Sequence, residues 1–401
     1  MAITTEPQKN IGGDMNDMRG PYMGEPNRLP DTTPEPAKIP EGSPEWAATH
    51  KPAPKRVLLT GAAGAIGVHV IAHFMHNTDW EIVALDSFHT HHKGYFDRIT
   101  RVCRNHPEWP ARIKIIAHDL NAPISQREIE QIGEIDYVVN LASRSDVSNS
   151  IDEDPGTPSG ASADFVRNNT ELMLNMLEYA RVAIPAVFLH FSTDEVYGPA
   201  PKDSGGHKEW DPIVPSNPYS ASKAVQEALA IAWWRCYGVP LIITNTMNNF
   251  GEMQAPSKFP AMIQKRIEAG EVIDVHSAGD GQIGTRYYIH SRNTADALLF
   301  ILKNVPPVMH GPGEIDRPVR LNIVGDKQVA NDELVDIISK LMDKPAQCRL
   351  VQYHDFNPGH DLHYGLNGDA LKELGWSSPV PFEESLKNTI EWQKRNPEWM
   401  K

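Results

Sequence analysis

Arg56-Val57-Leu58-Leu59-Thr60 runs into Gly61-Ala62-Ala63-Gly64-Ala65-Ile66-Gly67 and then into a helical pattern reaching about Asn77. The first five residues read as a strand. Glycines at the turn allow tight backbone geometry and close approach of a pyrophosphate to the helix N-terminus. The spacing is G-x-x-G-x-x-G, not the commoner G-x-G-x-x-G. A glycine motif alone is weak; a strand before it and a helix after it make Gly61, Gly64, Ala65, Ile66 and Gly67 candidate cofactor contacts.

Moving outward, Glu81-Ile82-Val83-Ala84-Leu85-Asp86 is a second strand. Asp86 lies about 20 residues past the glycines, where a carboxylate accepts from both ribose hydroxyls. It would repel a 2′-phosphate, so NAD is favoured over NADP; the bland alternative is a cap or turn residue. Ile113–Ala117 is a third strand, with Asp119 and Leu120 placed to flank an adenine ring. Asp136–Ala142 is a fourth, and after Leu141 the small Ala142 and Ser143 let the dinucleotide pass. Residues 152–162 read as a loop and Asp164–Val182 as a helix. Ala186-Val187-Phe188-Leu189 then reads as a buried parallel strand, and Leu241–Asn245 as the sixth.

This alternation predicts an α/β fold, a Rossmann-type doubly wound parallel sheet. After about residue 250 short strands near 273–276, 286–290 and 320–323 alternate with helices near 257–269, 291–304, 331–342 and 383–396. They suggest a smaller C-terminal α/β substrate lobe, with some segments returning to the sheet. The expected division is a tail over 1–53, an NAD-binding domain over 54–250, and a mainly substrate-binding lobe over 251–401.

The chain has 401 residues and a formal charge of −14. Phosphate-backbone binding needs clustered Lys and Arg, so nucleic acid is not an expected partner. Cys103, Cys236 and Cys348 are scattered without metal or redox spacing. No apolar run approaches the ~20 residues of a membrane span, and the N-terminus lacks a signal-peptide pattern. The expectation is a cytoplasmic protein with no membrane partner. Residues 1–53 are polar and proline-punctuated, a composition unable to offset its ordering entropy; a wrapping arm is the alternative. His89, His91 and His92 are clustered, but no partner is spaced for a metal, and a solvated loop is the expectation.

The chemistry gathers in His190-Phe191-Ser192-Thr193-Asp194-Glu195-Val196-Tyr197-Gly198 and Tyr219-Ser220-Ala221-Ser222-Lys223. Beyond the carboxyl end of a parallel strand, Thr193, Asp194 and Glu195 stand at the mouth of a cleft. Tyr219 and Lys223 sit at i and i+4 of a helix from about Pro218 to Tyr237 and point to one side. A free tyrosine has a pKa of about 10, too high for a base at neutral pH. A nearby ammonium and a cationic nicotinamide favour the phenolate. Alone, the pair could be a surface tyrosine over a solvated lysine. Its order in the chain, after a nucleotide loop and a Ser-Thr at a strand end, argues for catalysis.

Together these residues resemble the extended short-chain dehydrogenase/reductases, and within them the nucleoside-diphosphate-sugar 4,6-dehydratases. The likeness runs from about Lys55 onward. It rests on Thr60–Gly67, Ser192–Gly198, Pro218–Ala224, Thr244–Gly251 with Lys258, Gly279-Asp280-Gly281 through Arg286, Pro358–Asp361 and Leu374-Gly375-Trp376. The resemblance implies Tyr219, as phenolate, taking the proton of a sugar 4-hydroxyl while NAD takes the C4 hydride. Lys223 orients the ribose and lowers the tyrosine pKa, and Thr193 binds the same oxygen. Glu195 is the C5 base, and protonated Asp194 donates to the departing 6-hydroxyl before hydride returns to C6.

It also implies Ser192 and Asn249 as cofactor contacts, and Ser145, Asn248, Lys258, Phe259, Arg286, Asn322 and His360 as substrate contacts, with no metal. The partner implied is a nucleotide sugar. The family's usual Glu-Ser-His is Arg144-Ser145-Asp146 here, the arginine before Pro-Gly-His is Asn357, and the acidic positions after the clamping arginine are Tyr287 and Asn293. Intact catalytic residues with drifted recognition residues imply related chemistry on a different or modified substrate. A 4-epimerase or decarboxylase of the same superfamily is one alternative, and a non-catalytic NAD-binding scaffold another. The helix carrying Trp233 and Trp234 suggests a homodimer; packing within one subunit is the alternative.

Overall fold

β1 (Arg56–Thr60) lies inside a seven-stranded sheet, and its Val57, Leu58 and Leu59 are wholly buried. This computed structural model describes residues 53–89, 97–151, 160–200, 205–278, 280–308, 316–352 and 361–400. The proline-rich stretch before them, and His91, His92, Gly279 and His360, lie outside the described residues.

The sheet order is β10-β6-β5-β4-β1-β2-β3, formed by β2 (Glu81–Asp86), β3 (Ile113–Ala117), β4 (Tyr137–Asn140), β5 (Val187–Thr193), β6 (Leu241–Thr246) and β10 (Val319–Ile323). Every pairing is parallel. Its strands are near-continuous apolar runs because both faces are covered. On one face α1 (Ala65–Asn77) and α7 (Ser291–Asn304) pack with Phe74, Leu298 and Ile301 at the centre. On the other, Ile132 of α3 (Gln126–Ile132), Met173 and Leu177 of α4 (Ala161–Ala183) and Ala230 of α5 (Pro218–Tyr237) cover the sheet. The strand order reverses between β1 and β4, and ligands of such sheets bind at that switch point.

Beyond residue 250 the chain divides. β10 returns to the main sheet as its edge strand. A separate cluster forms around β7 (Asn248–Phe250), β8 (Val272–Ser277), β9 (Thr285–His290), β11 (Gln328–Ala330) and β12 (Gln347–Gln352). Its core takes Ile263 and Ile267 from α6 (Phe259–Ala269), Leu334 and Ile338 from α8 (Asn331–Met342), and Leu386 and Ile390 from α10 (Phe382–Arg395).

Several elements escape the sequence reading. β4 stops at Asn140, two residues short of the expected end, and α4 begins at Ala161. β7, β11 and β12, and the short α2 (Arg98–Cys103), α3 and α9 (Asp369–Glu373), were not expected. β12 is almost wholly exposed, and the three-residue β7 and β11 exist only through pairing with β9. α3 does carry a legible start, a capping box between Ser125 and Glu128.

The sheet edge is tied to α5 by a buried ion pair. Arg320 of β10 meets Glu227 of α5, with both side chains at 1% exposure or less. Arg320 also donates to the carbonyl of Glu209 and lies 4.4 Å from the Trp210 ring. Removing one partner of such a pair strands a buried charge, at a cost of about 3–5 kcal/mol. We therefore expect Arg320→Met to lower unfolding free energy by about 3–5 kcal/mol, and the double change with Glu227→Leu to recover much of it. Urea unfolding of the two variants beside the parent reads the difference.

Candidate active site

β5 ends at Thr193, and the chain turns at once into a short 3₁₀ segment, Asp194–Tyr197. The Thr193 hydroxyl caps that segment by accepting from the Glu195 amide, and donates to Asp194 Oδ1 at 3.0 Å. Asp194 is buried, and its Oδ2 has no hydrogen-bond partner among the described residues. Burial pushes its pKa up to about 6, against the pull of Thr193 and Arg286. Glu195 is pushed up to about 7, by burial first and then by the Asp194 charge. Asn217, the cap of α5, donates to Glu195 Oε2 at 3.3 Å. Both carboxyls are thereby shifted toward their protonated forms.

Asn217 and Pro218 start α5 with a reciprocal cap between Asn217 and Ser220, which sets the phase of the helix. That phase turns Tyr219 and Lys223 inward, and both are buried. Lys223 Nζ donates to Phe191 O at 2.8 Å and to Gln226 Oε1 at 2.7 Å. Burial lowers its pKa to about 7, with Glu227 opposing. The expectation is a phenolate favoured by Lys223 together with a cationic nicotinamide; the shift set by the protein's own groups runs the other way. Burial, followed by the charges of Glu195 and Asp194, raises the Tyr219 phenol, and Thr193 opposes.

Unpartnered polar atoms collect at the ends of these strands. Ser192 Oγ, Asp194 Oδ2, Thr246 Oγ1 and Asn248 Oδ1 are all buried without a partner among the described residues. The register pairs Ser192 with Asn245 and Thr193 with Thr246, so the strands carrying them end side by side. Buried polar groups of this kind are normally satisfied, so a polar ligand fits here.

The glycine loop meets the tip of β4. Gly61 has φ +65°, and a Cβ there would lie 3.0 Å from Ala142 N; a Cβ on Gly67 would lie 2.3 Å from Gly61 O. No side chain caps the N-terminus of α1, beside Gly64, Ala65 and Ile66. Asp86 accepts from the amides of Ala63 (3.0 Å) and Phe88 (2.9 Å), which closes the loop over the end of β2. Thr60 Oγ1 donates to Asn140 and accepts from the Ala142 amide, positioning Leu141, Ala142 and Ser143. Asp119 is half-buried with Oδ1 turned to Asn121, and Leu120 is buried.

Comparison with known proteins then matches residues 57–311 to the family described as NAD dependent epimerase/dehydratase. The chain belongs to that family. It is an extended short-chain dehydrogenase/reductase, and NAD is its cofactor. The chain is 31% identical to dTDP-glucose 4,6-dehydratase of Escherichia coli, over 86% of its own length and 95% of that relative. It is 32% identical to a trifunctional Arabidopsis thaliana protein that begins with UDP-glucose 4,6-dehydratase, and spans about half of that relative's length. Among solved structures, dTDP-glucose 4,6-dehydratase from Streptomyces venezuelae with NAD bound gives a TM-score of 0.71 at 26% identity, covering 86% of this chain and 98% of that one. Thermus thermophilus UDP-glucose 4-epimerase gives 0.68 at 22% identity, over 84% and 99%, and shares the fold. The open α1 terminus, the cradle at Gly61 and Gly67 and the unpartnered strand-end atoms fit a dinucleotide.

For this epimerase/dehydratase the expected substrate residues divide. Lys258 points to the loop after β4, with Nζ 3.3 Å from Ser145 O and 3.4 Å from Asp146 Oδ2; Ser145 is exposed there. Arg286 donates to the carbonyls of Thr285, Asp361 and Leu362 and stacks 4.1 Å from the Tyr364 ring. Asn249 is tied to Met247 O and Thr294, and Phe259 packs on the smaller core. Asn322 is fully buried; its Nδ2 donates to the carbonyls of His207 and Asn367, and its Oδ1 has no hydrogen-bond partner among the described residues. His360 lies outside the described residues.

Sequence reading missed the supporting amides. Asn169 of α4 bridges the Arg144 backbone and Ser222. Asn245 donates to Thr193 O and Glu227. Gln226, three residues after Lys223, was the one with a positional signal.

A second polar cluster joins His69 of α1, Glu252 and His290 within 4.8 Å. His69 Nε2 meets Glu252 Oε2 at 2.7 Å, and His290 Nε2 lies 3.1 Å away in poorer alignment. It makes a poor metal cradle. The Arg292 amide donates into His290 Nδ1 at 3.0 Å, so the neutral ring carries its proton on Nε2, where a metal would need a lone pair.

The raised Glu195 pKa sets a stability signature. A carboxyl raised in the folded state adds no penalty below its ordinary pKa, and its full penalty above the folded value. Stability should fall as pH rises from about 4.5 to about 7. Glu195→Gln is expected to raise Tm at pH 8, and the gain to vanish below about pH 5; differential scanning calorimetry across pH checks both.

Proposed function

We propose that the chain is an NAD-dependent 4,6-dehydratase of a nucleotide-activated hexose, giving a 4-keto-6-deoxy sugar. The carrying observation is the adjacent pair at the end of β5 on the Tyr219 side, Asp194 buried and Glu195 half-buried, both raised toward neutrality. The relatives named dTDP-glucose 4,6-dehydratase and UDP-glucose 4,6-dehydratase support the reading.

When bound, NAD supplies the acceptor for the hydride from C4 and the donor that returns it to C6. Tyr219 takes the proton of the 4-hydroxyl, with Thr193 holding the same oxygen. Lys223, fixed by Phe191 O and Gln226, is assigned to orient the cofactor ribose. The 4-keto group acidifies C5. Glu195 in its deprotonated form removes that proton, and Asp194 in its protonated form gives one to the departing 6-hydroxyl, so water leaves. It is the one-proton form opposite to the order of the two values in the free protein, where Glu195 holds its proton more tightly than Asp194.

Lys258 beside Asp146, and Arg286 bonded to three backbone carbonyls, are placed as local cations for a diphosphate on an otherwise acidic protein. Asp146 competes with any anion for Lys258. The drift at Arg144, Asp146, Asn357, Tyr287 and Asn293 supports a substrate differing from that of the named relatives. We further propose a cytoplasmic homodimer. α4 and α5 leave Val182, Ile184 and Tyr237 exposed around the half-buried Trp233 and Trp234. Among the described residues no helix is long and apolar enough to cross a membrane.

Incubation with dTDP-, UDP-, GDP- and CDP-hexoses should yield a 4-keto product, seen by its alkaline ultraviolet absorbance, without net NADH. Glu195→Gln should cut its formation by about 10²–10⁴-fold. If that variant keeps the parent's turnover, or the product is the 4-epimer, the dehydratase reading fails.

A further inference from the structure

We propose that the Asn396–Met400 segment completes the cofactor site at one remove. Its Trp399 ring holds Arg98 on the carbonyl of Ala63 in the dinucleotide loop, and this contact governs how firmly NAD is retained.

The Ala63 peptide is gripped from both ends. Its N–H donates to Asp86 Oδ2 at 3.0 Å, and its carbonyl accepts from Arg98 Nη1 at 3.1 Å. One peptide therefore couples the ribose-side carboxylate to the loop that approaches the pyrophosphate. Arg98 is buried, yet it opens a helix of six residues. A helix that short has little stability of its own, so tertiary contacts must place it.

The Asn396–Met400 segment supplies those contacts. Arg98 Cζ lies 5.5 Å and Arg101 Cζ 5.2 Å from the centre of the Trp399 ring. Arg101 also donates to Asn396 Oδ1 and to Glu398 Oε1, both at 3.0 Å. Trp399 is buried in the same apolar cluster as Ala62, Ala63 and Ile99. Its Nε1 has no hydrogen-bond partner among the described residues, so packing and the two cations hold the ring. Trp399 touches neither the catalytic pair nor the strand-end atoms; its role is positioning.

The test reads NAD, not turnover, so its outcome is independent of the dehydratase reading. Trp399→Ala, and deletion of residues 396–401, are expected to lower as-purified NAD content and to weaken NAD binding to the stripped enzyme at least about tenfold by calorimetry. Trp399→Phe should restore most of the affinity. Ile390→Ala, in the smaller core, controls for general destabilisation: it should lower Tm while leaving NAD affinity within about twofold. The proposal is overturned if Trp399→Ala binds NAD within about twofold of the parent, or if Ile390→Ala weakens NAD as much at equal Tm loss. Should Trp399→Ala fail to fold, Arg101→Gln decides. A loss of about threefold supports the latch, and unchanged affinity overturns it.

Discussion

The side-chain amide of Asn245 donates at once to the carbonyl of Thr193 and to the carboxylate of Glu227. That bond joins the end of β5 to the rear of α5, and the rest of the site depends on it. Glu227 is held in turn by Arg320 of the edge strand. Along α5, Tyr219, Lys223 and Glu227 recur at four-residue steps, so anchoring the last orients the first two. The buried charge behind the site also opposes the loss of the Lys223 proton.

In front of this anchor the fold tolerates unfavourable electrostatics. Two adjacent carboxyls and a phenol are desolvated together, and each is pushed toward its protonated form. A protein selected for stability alone would not bury Asp194 with an unpartnered oxygen. The cost is local, and the apolar clusters on both faces of the sheet offset it. Like charges held close are also what keeps one of two carboxyls protonated near neutral pH, as acid and base acting together require.

The cofactor side follows a different logic. Gly61 and Gly67 remove side chains where backbone segments crowd, and Asp86 and Arg98 fix the Ala63 peptide from opposite ends. Helix α1 is braced further along its length by His69 with Glu252, and by His73 with Asp296 of α7. The part of the chain beyond residue 250 thus supports the dinucleotide loop as well as the expected substrate contacts.

The sequence alone determined the sheet, its parallel sense, the glycine loop and the Thr-Asp-Glu and Tyr-Lys elements. These depend on local periodicity and on residue types whose chemistry does not need a neighbour to be recognised. Tertiary structure alone decided the amide supports at Asn169, Asn245 and Gln226, the burial of Asn322, which of the expected segments returns to the sheet, and the ties on Lys258 and Arg286. Each depends on partners tens to hundreds of residues away. The direction of the Tyr219 shift belongs with them. Tyr219 and Lys223 suggest a lowered pKa by spacing, but burial and two neighbouring carboxyls outweigh that, and desolvation becomes visible only once the chain has closed around the group.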